Sequence, residues 1–155
     1  NSLRMRPERV IVGEVRGNEI LDMIQAMSTG HDGSMGTLHA NSPREALHRM
    51  EMLAGFAGYQ GSEHTLRLQI ADAIDLIVQI TRLRTGERRV TNIQEITGVS
   101  DNTYMTQDLF TYDLETDRFI REQIVPKSDK LKQLDSSQRR ESPFYPGTGG
   151  GGGTW

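Results

Sequence analysis

The chain has 155 residues, a formal net charge of −3 and no cysteine. This length predicts one domain or part of one, and 18 basic against 21 acidic residues give no general basic field for a nucleic-acid backbone. The lack of cysteine excludes disulfides, thiolate zinc sites and a thiol nucleophile, and it fits a reducing cytoplasm. No apolar run reaches the ~18–20 residues needed to cross a bilayer, and residues 1–10 are too polar for a signal peptide.

The N-terminal part of the sequence predicts a strand, a helix and a second strand. No initiator Met precedes the first strand, so the sequence is expected to begin inside a domain. "RVIVGEV", residues 9–15, is typical of a strand buried on both faces of a parallel sheet, with Glu14 at its carboxyl end. "NEILDMIQAMSTG", residues 18–30, has helical spacing and ends on Gly30. "SMGTLHAN", residues 34–41, predicts the second strand.

Two further helices are predicted next. "NSPREALHRMEMLAGF", residues 41–56, has the strongest helix pattern in the chain. Ser42 can cap this helix, Pro43 suits its first turn, and Glu45 completes a Ser-x-x-Glu capping box. "EHTLRLQIADAI", residues 63–74, predicts a third helix from its apolar spacing.

The rest of the chain predicts antiparallel β structure and then a flexible tail. Strands at residues 77–83 and 89–97 flank the turn "RTGER", and residues 103–125 repeat the pattern around "LETDR". Residues 126–155 contain all three lysines and end in "GTGGGGGTW", which we interpret as a linker or a cloning remnant. The predicted order is βαβαα followed by hairpins, in a domain of residues 1–125.

Glu14 is the first candidate for chemistry. Ligands of open α/β sheets bind at the carboxyl ends of the strands, and in nucleotide hydrolases a carboxylate there can orient or deprotonate the attacking water. The alternative is a structural ion pair with Arg16 or with a neighbouring helix. A strand followed by an acid does not decide between the two interpretations.

His31 and His39 are the second candidates, since they flank the second predicted strand. Each can donate a hydrogen bond to a phosphate or act as a general acid or base. A metal-hydrolase interpretation would combine both with Asp32 and Glu14 as ligands, although the spacing is not that of a metal-binding helix. The structural alternative is that each histidine simply hydrogen-bonds its surroundings.

Arginines are concentrated around the first predicted strand. Their planar donors can bind a phosphate, or a carboxylate at a subunit interface. A solvated group of charges is the structural alternative. The residues concerned are Arg4, Arg6, Arg9 and Arg16.

The order of these motifs is more specific than any one of them. The segment "RMRPERVIVGEVRGNEILDMIQAMSTGHDGSMGTLHANSPREALHRME", residues 4–51, closely resembles the type II/type IV secretion and pilus-assembly ATPase superfamily, and most of all its tight-adherence and type IV secretion branch. "RPERVIVGEVRG" corresponds to the Walker B strand with its glutamate. "TGHDGSMGTLHAN" corresponds to the histidine box. The resemblance extends to about residue 113.

This resemblance implies roles for individual residues. Glu14 would be the catalytic carboxylate that orients water, and His39 the histidine that contacts the γ-phosphate. His31 would be a second member of the histidine box, and Arg16 would link the edge of the site to a neighbouring element. The implied fold is α/β, a partial RecA-like P-loop NTPase core followed by antiparallel hairpins.

The resemblance also implies partners and cofactors. Family members are hexameric rings on the cytoplasmic face of the inner membrane, and they couple hydrolysis of ATP with Mg²⁺ to pilus assembly or protein export. An inner-membrane platform protein of the secretion machinery is the implied partner, and no direct contact with nucleic acid is expected.

One departure from the family pattern is large. A P-loop needs a lysine followed by Ser or Thr, but no Gly-Lys-Ser/Thr occurs and the first lysine is Lys127. We therefore expect the C-terminal half of a motor domain that binds ATP weakly or not at all alone and does not hydrolyse it. A non-catalytic oligomerisation module and the metal-dependent hydrolase remain as alternatives.

Overall fold

A computed structural model of the chain describes residues 7–133. Between residues 11 and 121, three helices and six strands follow one another in a mixed α/β fold. The elements are β1 (Ile11–Val12), α1 (Glu19–Ser28), β2 (Met35–Gly36), α2 (Pro43–Phe56), α3 (Glu63–Ala73), β3 (Leu76–Arg82), β4 (Arg88–Ser100), β5 (Thr103–Asp113) and β6 (Arg118–Arg121).

The two N-terminal strands pair in parallel, but both are shorter than predicted. Ile11 lies opposite Met35 and Val12 opposite Gly36. The prediction that the first strand is buried on both faces is wrong, because Ile11 is 70% exposed. Parallel strands are buried when further strands and helices cover them, and within residues 7–133 this sheet has only two strands.

The predicted helices are confirmed with small changes at their ends. In α2 the amide of Glu45 donates to Ser42 Oγ at 3.2 Å, as the capping prediction requires. The Glu45 carboxylate turns one residue further back than expected and accepts hydrogen bonds from the backbone and side chain of Asn41. In α3 the amide of Thr65 donates to Ser62 Oγ at 3.1 Å.

The two predicted hairpins form one sheet. Strands β3, β4, β5 and β6 lie in that order and are all antiparallel. A tight turn joins β4 to β5 at Asp101 and Asn102, with φ of 47° and 60°, in the left-handed region that these residue types tolerate best after glycine. The long β4–β5 pairing therefore joins the two predicted hairpins in one sheet.

The hydrophobic core lies where the three helices meet the antiparallel sheet. Each helix turns one apolar face inward, with spacing of three or four residues. Its buried side chains include Ile20 and Ile24 of α1, Leu47 and Met50 of α2, Leu66 and Ile70 of α3, and Ile96 of β4.

The chain divides into two compact units after Ile124. All the elements named above belong to the first unit. In the second unit, residues 129–133 form a helical turn in which Lys132 Nζ lies 2.9 Å from Asp129 Oδ1. The predicted flexible tail otherwise lies outside the described residues, as do Arg4 and Arg6.

Candidate functional site: a carboxylate between an arginine and a histidine

Glu14 lies just after β1, where backbone contacts with the segment after β2 hold the chain. The amide of Val15 donates to the carbonyl of Thr37 at 2.9 Å, and the hydroxyl of Thr37 donates to the carbonyl of Gly13. Val15 is 2% exposed and anchors this segment in the core. The backbone on both sides of Glu14 is therefore fixed, and its side chain is 27% exposed.

Two of the predicted site residues contact Glu14. His39 Nε2 lies 3.1 Å from Glu14 Oε1, and the Arg16 guanidinium forms an ion pair with the same carboxylate. The predicted alternative, an ion pair between Glu14 and Arg16, is therefore confirmed as a contact. The side chains of His39 and Arg16 are 82% and 75% exposed, so the group is open to a ligand.

The charges around Glu14 favour its ionised form. Its pKa lies below the usual value, first because Arg16 hydrogen-bonds the carboxylate; partial burial opposes this shift, and the charges of Arg16, His39 and Arg49 add to it. The carboxylate in turn raises the pKa of Arg16. Glu14 is thus an anion at neutral pH, in contact with Arg16 and His39.

Arg49 is the member of this group that the sequence did not predict. It lies on α2, ten residues after His39, and both residues line one cleft of about 570 Å³. Met52 and Phe56 line its apolar part, and both are exposed, Phe56 to 79%. Nothing in the local sequence distinguishes Arg49 from any other helix-surface arginine, since its place in the cleft with His39 depends on how α2 packs.

His31 has a different environment. Its Nδ1 donates to the carbonyl of Ala26 at 3.1 Å, so it satisfies a backbone group at the end of α1. In the part of the chain that the structure describes, no hydrogen bond or ion pair connects His31 to Glu14 or His39. The structural alternative, in which the histidine simply hydrogen-bonds its surroundings, is therefore confirmed for His31 Nδ1.

The metal-hydrolase alternative required Glu14, His31, Asp32 and His39 to form one ligand group. Among residues 7–133, no group of three or more His, Cys, Asp or Glu side chains is placed to hold a metal ion. That alternative is therefore wrong in its premise. The predicted arginine group is also divided, because Arg9 packs against Gly33 whereas Arg16 contacts Glu14.

The fold and the site together define a mixed α/β protein in which a carboxylate and a histidine meet just after the ends of two paired parallel strands. A family model described as type II/IV secretion system protein matches residues 1–136. The chain belongs to this family, as its motifs predicted. Within residues 7–133, no helix has both the length and the apolar character that a membrane crossing requires.

Individual relatives carry names from secretion and conjugation. A Mycobacterium tuberculosis protein (strain CDC 1551) named for conjugal transfer is 45% identical over 92 residues, which are 59% of this chain and 26% of that protein. Conjugal transfer protein TrbB from Rhizobium radiobacter is 39% identical over 107 residues, 69% of this chain and 32% of that protein. The chain thus spans about a quarter to a third of these relatives.

A solved structure is similar as well. The crystal structure of the VirB11 ATPase from the Brucella suis type IV secretion system in complex with sulphate matches with a TM-score of 0.55 and 27% identity. The match covers 59% of this chain and 29% of that one.

Proposed function

We propose that the chain is part of a secretion-system ATPase and carries the carboxylate and histidine that act on the γ-phosphate side of the nucleotide. The observation that supports this most directly is the contact between His39 Nε2 and Glu14 Oε1 at 3.1 Å. Residues 25 positions apart in the sequence meet at the end of the parallel strand pair, where α/β folds commonly bind ligands. Because the chain belongs to the secretion family and is similar to an ATPase of that kind, we take a nucleotide as the class of ligand.

The residues present fit one side of a nucleotide site. His39, Arg16 and Arg49 offer N–H donors to phosphate oxygens, and Glu14 offers an ionised carboxylate to a water. ATP with Mg²⁺ would supply the phosphoanhydride bond that is hydrolysed. No Gly-Lys-Ser/Thr is present among the 155 residues, so the cradle for the β- and γ-phosphates would come from a further part of the protein.

The proposed mechanism assigns a separate task to each residue. Ionised Glu14 accepts a hydrogen bond from a water and orients it for in-line attack. His39 Nε2, now beside Glu14, can donate either to that carboxylate or to a phosphate oxygen, so it can respond to the presence of the γ-phosphate. Arg16 keeps Glu14 ionised. Arg49 adds a positive charge on the cleft side, where phosphate charge would be neutralised.

The same proposal includes the assembly and location that the family implies. We propose a hexameric ring, peripheral to the cytoplasmic face of the inner membrane, that works on a platform protein of the secretion machinery and has a partial RecA-like core. Support comes from the secretion-system names of the relatives and from the similarity to the VirB11 ATPase.

A second function is favoured by one specific observation. Several large apolar side chains are exposed at the strand pair and on α2, among them Ile11 at 70% and Phe56 at 79%, and exposed apolar surface of this kind marks interaction sites. The chain could therefore be a non-catalytic oligomerisation module that docks onto complete motor subunits. Co-purification with such a subunit, unaffected by Glu14→Gln, would favour this second function.

A chimera tests the catalytic proposal. The segment of this chain that matches the Brucella suis VirB11 ATPase, 59% of its length, would replace its counterpart there, and that ATPase would supply the remaining nucleotide site. We expect ATP hydrolysis by the chimera and a loss of about 100-fold or more in kcat with Glu14→Gln. The matched control is Glu45→Gln, a carboxylate of the same cleft that caps α2. Equal kcat values for Glu14→Gln and the unaltered chimera would refute the proposal.

Titration of MgATP into the 155-residue chain tests the same proposal without a chimera. We expect little or no heat, because the phosphate cradle is not in this sequence. Saturable one-to-one binding that is lost in Glu14→Ala/His39→Ala would contradict our account of what the further part supplies.

A further inference from the structure

A second carboxylate–cation pair lies between α2 and α3, and the proposed mechanism does not use it. Arg67 Nε donates to Glu51 Oε1 and Arg67 Nη2 donates to Glu51 Oε2, both at 3.0 Å. The two side chains are only 14% and 13% exposed. Two parallel N–H···O bonds fix direction as well as distance, so this pair joins the two helices in one relative orientation.

The surroundings of the pair are asymmetric. On the inner side, the hydroxyl of Tyr104 of β5 is buried beside it and makes no hydrogen bond of ordinary geometry with the described residues. Burial raises the pKa of Tyr104, and the neighbouring Glu51 carboxylate raises it further. On the outer side, Glu63 lies 3.6 Å from Arg67 and is 82% exposed. Glu51 is therefore the carboxylate that determines how the guanidinium group of Arg67 is oriented.

Part of the buried face of α2 consists of small or adaptable side chains. Alanine offers little shape to a packing surface, and methionine adapts to gaps. Two of the five buried side chains of α2 are alanines and one is methionine; the five are Ala46, Leu47, Met50, Leu53 and Ala54. The two directional bonds between Glu51 and Arg67 therefore add a restraint on how far α2 turns about its axis.

The rotation of α2 determines where Arg49 points. Successive helical residues are about 100° apart, so Arg49 and Glu51 project about 200° apart around the axis. Glu51 faces α3, whereas Arg49 faces the cleft that it shares with His39. A turn of α2 by one residue position would carry Arg49 out of the cleft that it shares with His39.

We propose that the Glu51–Arg67 ion pair is a positioning device that fixes the rotation of α2 and so holds Arg49 in the cleft that it shares with His39. Both are positioning residues, because they act through the helix. The catalytic role of Arg49 in this cleft rests on the proposed function. The restraint that the ion pair places on the rotation of α2 does not. Replacing a buried ion pair by apolar residues often costs little stability, so orientation and stability can be separated by experiment.

Spin labelling of the whole chain measures the orientation of α2 directly. The sequence has no cysteine, so Gln25→Cys on α1 and Met52→Cys on α2 give one labelled pair at two exposed positions. With the ion pair intact, we expect one narrow distance distribution by double electron–electron resonance. Glu51→Leu/Arg67→Leu should broaden it about two-fold or shift its maximum, and Arg67→Lys should do the same, because it keeps the charge but loses the fork.

Two further variants make the result specific. Glu51→Arg/Arg67→Glu should restore the narrow distribution, and Glu63→Gln, which removes the exposed carboxylate near Arg67, should leave it unchanged. An unchanged distribution in both Glu51→Leu/Arg67→Leu and Arg67→Lys, with circular dichroism showing folded chains, would overturn the proposal. If the double-leucine variant fails to fold, Arg67→Lys and the charge reversal decide the outcome. The measurement uses no nucleotide, so an inactive chimera would count against the ATPase proposal alone.

Discussion

Ile70 of α3 is fully buried where the helices meet the sheet, and its truncation to alanine tests the core. It is 0% exposed and belongs to a cluster with Ile20, Leu47 and Ile96. Ile70→Ala removes three buried carbons, which at ~0.8 kcal/mol each gives a transfer loss of about 2.4 kcal/mol. The cavity left behind adds about 1–2 kcal/mol, and the higher helix propensity of alanine returns a few tenths. We expect the free energy of unfolding to fall by about 3–4 kcal/mol.

Urea unfolding followed by far-UV circular dichroism measures this loss. With a slope of about 1.5–2 kcal/mol per molar urea for a chain of this size, the midpoint should fall by roughly 2 M. Leu68→Ala is the matched control, because Leu68 lies two residues away on α3 and is 45% exposed; its loss should stay below about 1 kcal/mol. Equal losses for the two variants, or a loss under about 1 kcal/mol for Ile70→Ala, would refute the packing of α3 described above.

Three further predictions concern the sheet, a helix cap and the site. Arg88→Glu should raise the free energy of unfolding at low salt by a few tenths of a kcal/mol, and with it the thermal midpoint, because Arg88 lies directly opposite Arg82 in the ladder; Arg118→Glu, opposite Asp113, should lower both. Ser42→Ala should cost about 1 kcal/mol in urea unfolding, and Ser42→Gly clearly less, because the hydroxyl caps α2; equal costs would contradict the cap. The pKa of Glu14 is lowered from 4.5 in the folded chain, so its ionised form contributes stability above that value, and this contribution is lost as the pH falls through the lower folded pKa. Glu14→Gln should therefore lower stability more at about pH 6 than at about pH 3, and equal losses at both pH values would exclude the Glu14–Arg16 interaction as a stabilising one.

The helices could be predicted from the sequence because their signals are local. The residues that cap α2 and those that form its buried face lie within one stretch of 15 positions, Ser42 to Phe56. The strands could be predicted only in part. A continuous apolar run predicts burial on both faces, but burial depends on what packs against the strand, and Ile11 is exposed because within residues 7–133 β1 has a single neighbour.

The union of the two predicted hairpins into one sheet was not predicted for a similar reason. Each turn, "RTGER" and "LETDR", has a pattern of its own, whereas the pairing of β4 with β5 depends on a two-residue turn of Asp101 and Asn102 at positive φ. Aspartate and asparagine adopt that conformation more readily than most residues, but they also occur in longer loops. The sequence therefore identified the strands and left their order in the sheet open.

The candidate site shows the same division between local and long-range information. Glu14 and His39 lie on segments that backbone hydrogen bonds between β1 and β2 hold together. The two strand motifs, once recognised in the sequence, therefore also identify two side chains that are close in the fold. Arg49 lines the cleft with His39 because of the rotation of α2, and the proposed restraint on that rotation is Arg67, 18 residues further along the chain. An arginine whose position depends on a helix contact of this kind has no motif of its own. It follows that a search for the remaining cations of this site should begin with the helices that pack around Glu14, and with the ion pairs that orient them.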